Sequence, residues 1–392
     1  MTPSTPVRDA LPASADVLVI GGGVMGASTA YHLARGGAGG VLLLERNRSF
    51  GEEATGRCAG GVRYQFATES NVRLSIASLP MLEALADETG VDCGYRKCGY
   101  LFALTRAEDV EAFRRNVAMQ RRLGVQTEWL TGDELRRRLP AMRFEDALAG
   151  TFHALDGLAD PHSVVAGYVQ AARRLGAQAL CEVEVLGLEV AGGRLQAVQT
   201  RAGRVACGAV VNAAGPWLAP VGAMAGVEIP VVPVRRQMVT TTPLPDLSAD
   251  FPFVIDFAQS LYFHREGEGV LTGMSNPDQA PGFDQSIDED WELVALEAAA
   301  RRMPMLERAG RLARWAGLYE VTPDAHPIFG PTPVQGFWVV GGFSGHGFMH
   351  GPIAGRLMAE FVLEGRAHSV DVGALDLARF AAGRLIREYN VI

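Results

Sequence analysis

A glycine-rich turn between two short apolar runs constrains the fold of this chain more than any other feature. Residues 16–20 are too continuously apolar for a half-exposed strand and suit the buried centre of a parallel sheet. A turn at residues 21–26 follows at once. Residues 27–35 then have a helical pattern, and a second apolar run covers residues 41–44. This order of strand, turn, helix and strand predicts the first unit of a Rossmann-like α/β domain.

Within the turn, Gly21, Gly23 and Gly26 have the spacing GxGxxG. Gly21 permits a tight turn, Gly23 lets a pyrophosphate approach bare backbone, and Gly26 lets helix and strand pack closely. The helix N-terminus then faces the phosphates. Glu45 ends the second apolar run, where a carboxylate accepts both hydrogen bonds of an adenosine ribose and repels a 2'-phosphate. The unit therefore predicts a dinucleotide, FAD or NAD in preference to NADP.

The size and charge of the chain exclude several classes of protein. At 392 residues it is longer than one ordinary domain, so we expect two lobes. The net charge of −8 leaves no basic footprint for nucleic acid, and the apolar runs are too short to span a membrane. We therefore expect a soluble protein. Residues 1–14 are polar and rich in proline, which predicts a loose leader and not a signal peptide.

The five cysteines are odd in number and have no zinc-site spacing, which indicates reduced thiols, a cytoplasmic location and no metal site. A disulfide between Cys93 and Cys98 is the alternative. Lys97 is the only lysine, so arginine supplies every other strongly basic side chain.

The C-terminal block carries a second glycine-rich loop. Residues 337–340 predict a buried strand, residues 341–347 form the loop, and Pro352 is expected to begin a helix. A reduced flavin carries negative charge near N1 and O2, and a helix N-terminus aimed there would stabilise it by roughly 0.3 to 2 kcal/mol. A nicotinamide has no comparable need. This loop therefore favours FAD over NAD.

Between these blocks the pattern predicts helices and then mostly strands, which we interpret as an α+β second domain with an antiparallel sheet. Small residues end an apolar strand at residues 209–217, which would give a bound cofactor access. The helices are expected at 72–89 with a bend at Pro80, 107–123, 131–139, 164–175 and 291–303, and the strands at 98–103, 182–185, 231–242, 253–257, 261–264 and 269–272.

Five further segments, together with the N-terminal unit, resemble the D-amino-acid oxidase (DAO) superfamily of FAD-dependent amine oxidoreductases. Within it the chain is most similar to the branch of sarcosine oxidase β-subunits and L-proline dehydrogenase β-subunits, nearly end to end. The segments are residues 55–63, 212–217, 273–278, 317–323 and 342–348.

The resemblance implies a discontinuous Rossmann-like FAD-binding domain of DAO type and a substrate domain whose antiparallel sheet roofs the flavin. The FAD-binding domain would comprise residues 1–88, 157–225 and 320–392, and the substrate domain residues 89–156 and 226–319. The resemblance also implies oxidation of an amino acid by hydride transfer to flavin N5.

Three residues are expected in catalysis on this resemblance. Arg63 corresponds to the arginine that grips the substrate carboxylate in monomeric sarcosine oxidases, a task that suits a planar guanidinium. Tyr262 falls where the roofing sheet meets the flavin and could hydrogen-bond substrate. His346 resembles the histidine of the flavin loop and could polarise the flavin or adjust amine protonation. The alternatives are a surface arginine for Arg63 and a core tyrosine for Tyr262, while His350 is expected to pack at the helix entry.

The expected contacts to non-covalent FAD come from both glycine-rich segments and from the loops between them. They are Gly21, Gly23, Val24, Met25, Gly26, Glu45, Arg46, Arg57, Ala59, Gly60, Gly61, Val185, Ala214, Gly215, Trp217, Gly317, Gly342, Gly345, His346, Gly347, Phe348 and Met349.

Three departures from monomeric sarcosine oxidases change what the resemblance implies. Gly317 stands where those enzymes hold the cysteine that links FAD covalently, and Met349 replaces their second carboxylate-binding group, a lysine. Leu271 aligns approximately with their oxygen-activating lysine. Because cationic charge beside a flavin stabilises superoxide formation, its loss favours a dehydrogenase over an oxidase.

The sequence therefore predicts FAD-dependent oxidation of a small secondary or N-methyl amino acid, sarcosine-like or proline-like. The alternatives are a D-amino-acid dehydrogenase, a subunit that works only in a hetero-oligomer with its own electron acceptor, and a flavin-binding assembly factor without amine oxidation. An NAD-dependent dehydrogenase would leave the C-terminal glycine loop unexplained.

Overall fold

The computed structural model describes residues 10–391. Most of the leader expected at residues 1–14 lies outside this range. Within it, none of the helices combines the length and apolar character that crossing a lipid bilayer would require.

Nineteen strands form the sheets of the described residues. In chain order they are β1 (Val17–Ile20), β2 (Val41–Leu44), β3 (Gly61–Val62), β4 (Tyr100–Leu104), β5 (Glu128–Thr131), β6 (Ala149–His153), β7 (Gly157–Leu158), β8 (Gln178–Leu180), β9 (Val185–Ala191), β10 (Arg194–Thr200), β11 (Gly203–Ala206), β12 (Val210–Asn212), β13 (Val232–Thr241), β14 (Phe253–Asp256), β15 (Leu261–Glu266), β16 (Gly269–Met274), β17 (Arg311–Val321), β18 (Ile328–Pro331) and β19 (Phe337–Gly341).

Ten α-helices accompany them between residues 10 and 391. They are α1 (Val24–Arg35), α2 (Glu69–Glu83), α3 (Leu85–Thr89), α4 (Ala107–Arg122), α5 (Gly132–Arg138), α6 (Pro161–Arg174), α7 (Leu218–Met224), α8 (Glu289–Arg302), α9 (Gly347–Glu364) and α10 (Ala378–Ala381).

A six-stranded sheet of order β18-β19-β12-β1-β2-β8 forms the Rossmann-like part of the fold. Its neighbouring strands are parallel except for the antiparallel pair β18 and β19. Val17 and Val19 of β1 pack into a core with α1, α6 and α9, whereas Leu18 and Ile20 pack against the β9-β10-β11 sheet and α7. Burial on both faces explains why these strands are continuously apolar. The predicted α/β class is confirmed.

An eight-stranded sheet of order β17-β13-β16-β15-β14-β4-β6-β5 forms the second layer. Six of its seven pairings are antiparallel, but β14 and β4 run parallel. The expected antiparallel sheet is therefore mixed at one pairing. Parallel strands need a long connection, which the more than one hundred residues between β4 and β14 provide. The division of the chain into two domains at the residues given above stays a prediction.

One predicted helix and one predicted strand differ in position from the observed elements. The helix expected over residues 72–89 divides at Ala84, four residues after Pro80, into α2 and α3. The strand expected at residues 182–185 begins only at Val185, because Glu182 has a φ of 60° and its amide donates to the Asn47 carbonyl.

The C-terminal helix α9 begins at Gly347 and not at Pro352, which lies inside the helix. A proline there removes one backbone donor and crowds the preceding turn. The Ser78 hydroxyl compensates, because it donates to the Met349 carbonyl (2.7 Å) and accepts from the Ile353 amide (3.4 Å). The helix therefore continues through the proline with a side chain of α2 inserted in its hydrogen-bond ladder.

Candidate cofactor and substrate site

The glycine-rich turn borders a cavity of about 320 Å³ at the carboxyl ends of the central parallel strands. Gly21 has a φ of 106°, in the left-handed region that favours glycine. A Cβ on Gly26 would lie 1.8 Å from the Gly21 carbonyl oxygen, so only glycine lets α1 begin this close to β1. The predicted roles of these two glycines in the turn thus agree with the geometry.

Two side chains hold the turn and the start of α1. The Glu45 carboxylate accepts from the Gly22 amide (2.7 Å) through Oε2 and from the Asn47 amide (2.8 Å) through Oε1. Carboxylate oxygens keep further lone pairs for two ribose hydroxyls. The Thr55 hydroxyl accepts from the Val24 amide (3.1 Å) in the first turn of α1.

Most of the residues predicted to contact the cofactor border this larger cavity. They are Gly21, Gly23, Val24, Met25, Glu45, Arg46, Val185, Ala214, Gly215, Trp217, Gly345, Gly347 and Phe348. The Arg46 guanidinium lies 3.7 Å from the centre of the Trp217 ring, so these two predicted contacts also stack on each other. Gly26 and Gly342 border neither cavity. Gly26 packs against the turn, and a Cβ on Gly342 would lie 2.5 Å from Thr322.

A smaller cavity of about 80 Å³ adjoins the larger one. The two share six lining residues, among them Cys58, Tyr319 and Phe348. The remaining predicted site residues border this smaller cavity: Arg57, Ala59, Gly60, Gly61, Arg63, Tyr262, Gly317, His346 and Met349. The structure therefore brings both expected groups, cofactor-binding and catalytic, to one connected space.

The eight-stranded sheet covers the smaller cavity with one face. Tyr262 pairs with Gly273, Gly273 with Met238, and Arg236 with Gly317 across neighbouring strands. Directly paired residues point to the same side of a sheet, as do residues two apart along a strand. This alternation brings Arg236, Met238, Tyr262 and Gly317 to the cavity together.

Arg63 is a buried cation at this cavity, only 4% exposed. Its Nη1 donates to the Gln65 carbonyl and its Nη2 to the Asn390 carbonyl (2.5 Å), while its guanidinium lies 3.9 Å from the Phe66 ring centre. None of these partners is charged, and burial lowers the pKa of the guanidinium. A guanidinium has five N–H donors, so donors remain for a carboxylate in the cavity.

His346 has both ring nitrogens engaged by protein. Its Nε2 lies 3.3 Å from the Ala325 carbonyl and its Nδ1 lies 3.1 Å from Nδ1 of His350, whose Nε2 reaches the Ser75 hydroxyl at 2.9 Å. Burial lowers the pKa of His346 well below its usual value and that of His350 to about 3. Because a carbonyl only accepts, neutral His346 carries its proton on Nε2.

Glu320 is a buried carboxyl group at the larger cavity that the sequence analysis missed. Its Oε1 accepts from the Phe343 amide (3.3 Å), and its Oε2 has no hydrogen-bond partner among the described residues. Burial raises the pKa of Glu320 to about 7. An orphaned buried oxygen facing a cavity is the environment in which a carboxyl group stays protonated near neutrality.

Arg236, Tyr100, Phe253 and Met238 also border the smaller cavity and were not predicted. They lie on strands whose cross-strand register is set by distant segments. The signal available in the sequence was the alternation along β13, which places Arg236 two residues from an inward-facing methionine.

The departures noted in the sequence lie at or beside this space. Gly317 borders the smaller cavity, and Leu271 is buried beside Tyr262 in an apolar cluster. Lys97 pairs with Glu83 (2.9 Å) and borders neither cavity. All five cysteines are free, so the alternative disulfide between Cys93 and Cys98 is not formed. No group of three or more His, Cys, Asp or Glu residues within 10–391 is arranged to hold a metal ion.

Comparison with known proteins agrees with this geometry. The model of a family described as FAD dependent oxidoreductase (DAO) matches residues 16–361. Over 386 aligned residues the chain is 31% identical to mouse (Mus musculus) mitochondrial sarcosine dehydrogenase, covering 94% of this chain and 42% of that protein. The chain thus spans less than half the length of that relative.

Two further relatives are covered over most of their length. The bovine (Bos taurus) FAD-dependent oxidoreductase domain-containing protein 1 is 30% identical, with 97% of this chain and 88% of that protein aligned. The crystal structure of L-proline dehydrogenase from P. horikoshii superposes with a TM-score of 0.89 at 31% identity, covering 96% of this chain and all of that one.

Proposed function

The chain belongs to the DAO family of FAD-dependent oxidoreductases, and from that premise we propose that it oxidises a small secondary or N-methyl amino acid, sarcosine-like or proline-like. The observation that carries the proposal is Arg63, a buried cation at a cavity that adjoins the cofactor cavity, whose hydrogen bonds within the described residues go only to backbone carbonyls. A sarcosine dehydrogenase and an L-proline dehydrogenase among the relatives support this substrate class.

The residues present fit FAD. A Cβ at Gly21 or Gly26 would collide with neighbouring backbone atoms, so the turn keeps the bare backbone that a dinucleotide approaches. Two backbone amides hold Glu45 just after β2. α9 begins at the junction of the two cavities, since Gly347 borders the larger one and Met349 the smaller one. When bound, FAD supplies at N5 the acceptor for the hydride from the carbon next to nitrogen, and water hydrolyses the resulting imine.

We propose that the FAD is held without a covalent bond. Gly317 provides no nucleophile, and burial raises the pKa of Cys58, the thiol that borders both cavities, to about 12. A protonated thiol is a poor nucleophile. The cofactor should therefore be released by denaturation of the chain.

In this proposal the chain contributes binding and orientation more than proton transfer. Arg63 clamps the substrate carboxylate with its free donors, which fixes the reacting carbon in the smaller cavity. The Tyr262 hydroxyl has only a weak partner, the Met238 sulfur at 3.9 Å, and is free to hydrogen-bond substrate. His346 borders the same cavity as Arg63. Because its pKa is low, its imidazole is neutral and adds no positive charge that would repel a substrate amine.

We also propose that the enzyme is a dehydrogenase that passes electrons to another acceptor or a partner subunit. The position of the oxygen-activating lysine is held by Leu271 within an apolar cluster. Arg63 and Arg236 are cations at the same cavity, so the proposal rests on the loss of an ammonium group at the position of Leu271 and not on a loss of all positive charge. Peroxide formed in air at the rate of amine oxidation would contradict the proposal, whereas rapid turnover with an artificial dye and little peroxide would support it.

The experiment that tests the substrate role of Arg63 compares Arg63→Gln with Arg73→Gln. Arg73 is half-exposed on α2 and pairs with Glu69, so it serves as the control. Loss of charge-assisted hydrogen bonds of about 3 kcal/mol should raise KM about 100-fold for R63Q, with FAD content retained. R73Q should leave KM unchanged.

The Arg63→Lys variant keeps the positive charge but lacks the planar guanidinium, so it distinguishes the effect of the charge from that of the two parallel hydrogen bonds. Lysine should restore only part of the affinity, because it cannot bind a carboxylate with two parallel hydrogen bonds. An R63Q protein that keeps its FAD and its wild-type KM would remove Arg63 from substrate binding.

A further inference from the structure

A second arginine, Arg236, borders the smaller cavity and has no carboxylate counter-ion within residues 10–391. Arg236 lies on β13 and donates through Nη1 to the Arg235 carbonyl (2.9 Å), while its buried Nε has no partner among the described residues. Its guanidinium lies 5.1 Å from the Tyr319 ring centre. Burial lowers its pKa, and the groups that act on it electrostatically are Tyr319 and Tyr262, not carboxylates.

The neighbouring arginine on the same strand shows the contrast. Arg235 points to the other face of the sheet, where it pairs with Asp284 (2.9 Å) and Asp288 (3.5 Å). Protein carboxylates therefore neutralise Arg235 on one face of β13, whereas no carboxylate of the described residues neutralises Arg236 on the cavity face. Burying a guanidinium with an unsatisfied donor costs folding free energy unless an anion binds to that donor.

The cavity thus holds two separate cations. Arg63 and Arg236 both act on the Tyr319 hydroxyl, and the positive charges of both oppose the rise of its pKa caused by burial. Each guanidinium has donors left over, and its hydrogen bonds within the described residues go to neutral backbone carbonyls. The carboxylates of Glu388 and Asp156 act on Arg63 without hydrogen-bonding to it, whereas only tyrosines act on Arg236. One substrate carboxylate satisfies one planar fork, so a substrate with a single carboxylate would leave the second cation unmatched.

We propose that Arg236 is a second anion-binding residue of the substrate cavity, and that the preferred substrate is a small amine with two carboxylates, one at each arginine. N-carboxymethyl amino acids have this chemistry, and they are secondary amines as the proposed function requires. The inference rests on the proposed function for its reaction but not for its binding test, which uses ligands that cannot be oxidised.

The experiment measures dissociation constants from the change in flavin absorbance of the FAD-loaded protein. Thiodiacetate and (methylthio)acetate are the probes, because they differ by one carboxylate and carry sulfur in place of the amine. The variants are Arg236→Gln and, as a matched control on the opposite face, Arg235→Gln. FAD content and thermal melting verify that each variant is folded.

For the wild type and R235Q, thiodiacetate should bind at least about tenfold more tightly than (methylthio)acetate, as one added charge-assisted contact predicts. In R236Q the two ligands should bind alike, with the affinity for (methylthio)acetate unchanged. Equal binding of the two probes to the wild type, or a preference that survives in R236Q, would overturn the proposal. The proposal would also be overturned if R236Q kept the preference for thiodiacetate while the spectrum and reduction potential of its flavin changed in the absence of ligand. Arg236 would then contact the cofactor and not the substrate.

The oxidation itself is tested with the matching amines, iminodiacetate and sarcosine. Faster anaerobic flavin reduction by iminodiacetate, lost in R236Q, supports the assignment. If neither amine reduces the flavin, the proposed reaction fails, while the preference between the thioether probes still decides the role of Arg236.

Discussion

At the scale of single residues, the site combines glycines that leave room with two buried polar atoms, Arg236 Nε and Glu320 Oε2, that have no hydrogen-bond partner among the described residues. Glu320 is the buried acid of this set, and its protonated form is favoured because burial penalises the carboxylate. Its folded-state pKa of about 7 lies above its usual value of 4.5. The group therefore stabilises the fold fully below its usual pKa, and this contribution is lost as pH rises through about 7.

Glu320→Gln should mimic the protonated acid and remove this pH dependence. At about 1.4 kcal/mol per pKa unit, the variant should gain on the order of 3 kcal/mol over the wild type at pH 8, and much less at pH 5. In thermal melting at matched FAD occupancy, this is an advantage of a few degrees. The exposed Glu145→Gln is the control, and an equal advantage at both pH values would refute the assignment.

Residues in short local motifs could be predicted from the sequence, whereas residues brought to the site by contacts between distant segments could not. The glycines of residues 21–26 lie in a short motif whose spacing indicates their role, and Arg63 was expected at the site from the family resemblance of residues 55–63. Arg236 and Glu320 lie in long strands where several polar residues alternate, and only the pairing with Gly317 and the position of Phe343 bring them to a cavity. Sequence patterns do not encode those contacts.

At the scale of elements, the approach of α1 to β1 determines whether the turn can hold a dinucleotide. Any side chain at residue 26 would meet the Gly21 carbonyl at 1.8 Å, which backbone atoms cannot relieve without moving the turn. We therefore expect the position to be intolerant even of alanine.

Gly26→Ala should lose FAD retention more than global structure. We expect at least about tenfold weaker FAD binding, since a displaced turn costs 1–3 kcal/mol as overpacking does elsewhere. Gly208→Ala is the matched control, because a Cβ there meets nothing within 4 Å. Binding is measured by fluorescence as FAD is returned to the stripped protein, and equal affinity of both variants would contradict this account.

The prediction for α9 was wrong for a reason that is not local. Proline is usual in the first turn of a helix, so the sequence favoured a start at Pro352. The helix begins earlier because Ser78, far away in the chain, bridges the break in its ladder. The N-terminal end of the helix was nevertheless predicted in the right region, because the glycines of residues 341–347 are local signals.

At the scale of the whole molecule, the C-terminal segment returns to the smaller cavity. Glu388 accepts from the Ala67 amide (2.8 Å) and from the amide and hydroxyl of Thr68 (3.2 and 2.8 Å), and it also accepts from Asn71 and Asn390. These bonds hold the Asn390 carbonyl against Arg63, and Val391 borders the cavity. The end of the chain and the start of α2 thus position the proposed carboxylate clamp together.

Glu388→Gln should loosen this segment, because an amide nitrogen cannot accept from donors that now face it. Leaving one or two buried donors unpaired costs about 2–4 kcal/mol. Hydrogen exchange of residues 384–391 should therefore accelerate, and KM should rise. Glu364→Gln, half-exposed near the end of α9, is the control. Unchanged exchange in E388Q would show that these bonds do not hold the segment.

The central claim is that the two cavities hold FAD beside an amino acid gripped by Arg63. Its most direct measurement is anaerobic reduction of the purified yellow protein by a panel of N-methyl, imino and dicarboxylic amino acids. The account predicts that one class bleaches the flavin stoichiometrically and that R63Q needs about 100-fold more substrate for the same rate. A flavin that no member of the panel reduces, in a protein with full FAD content, would contradict it.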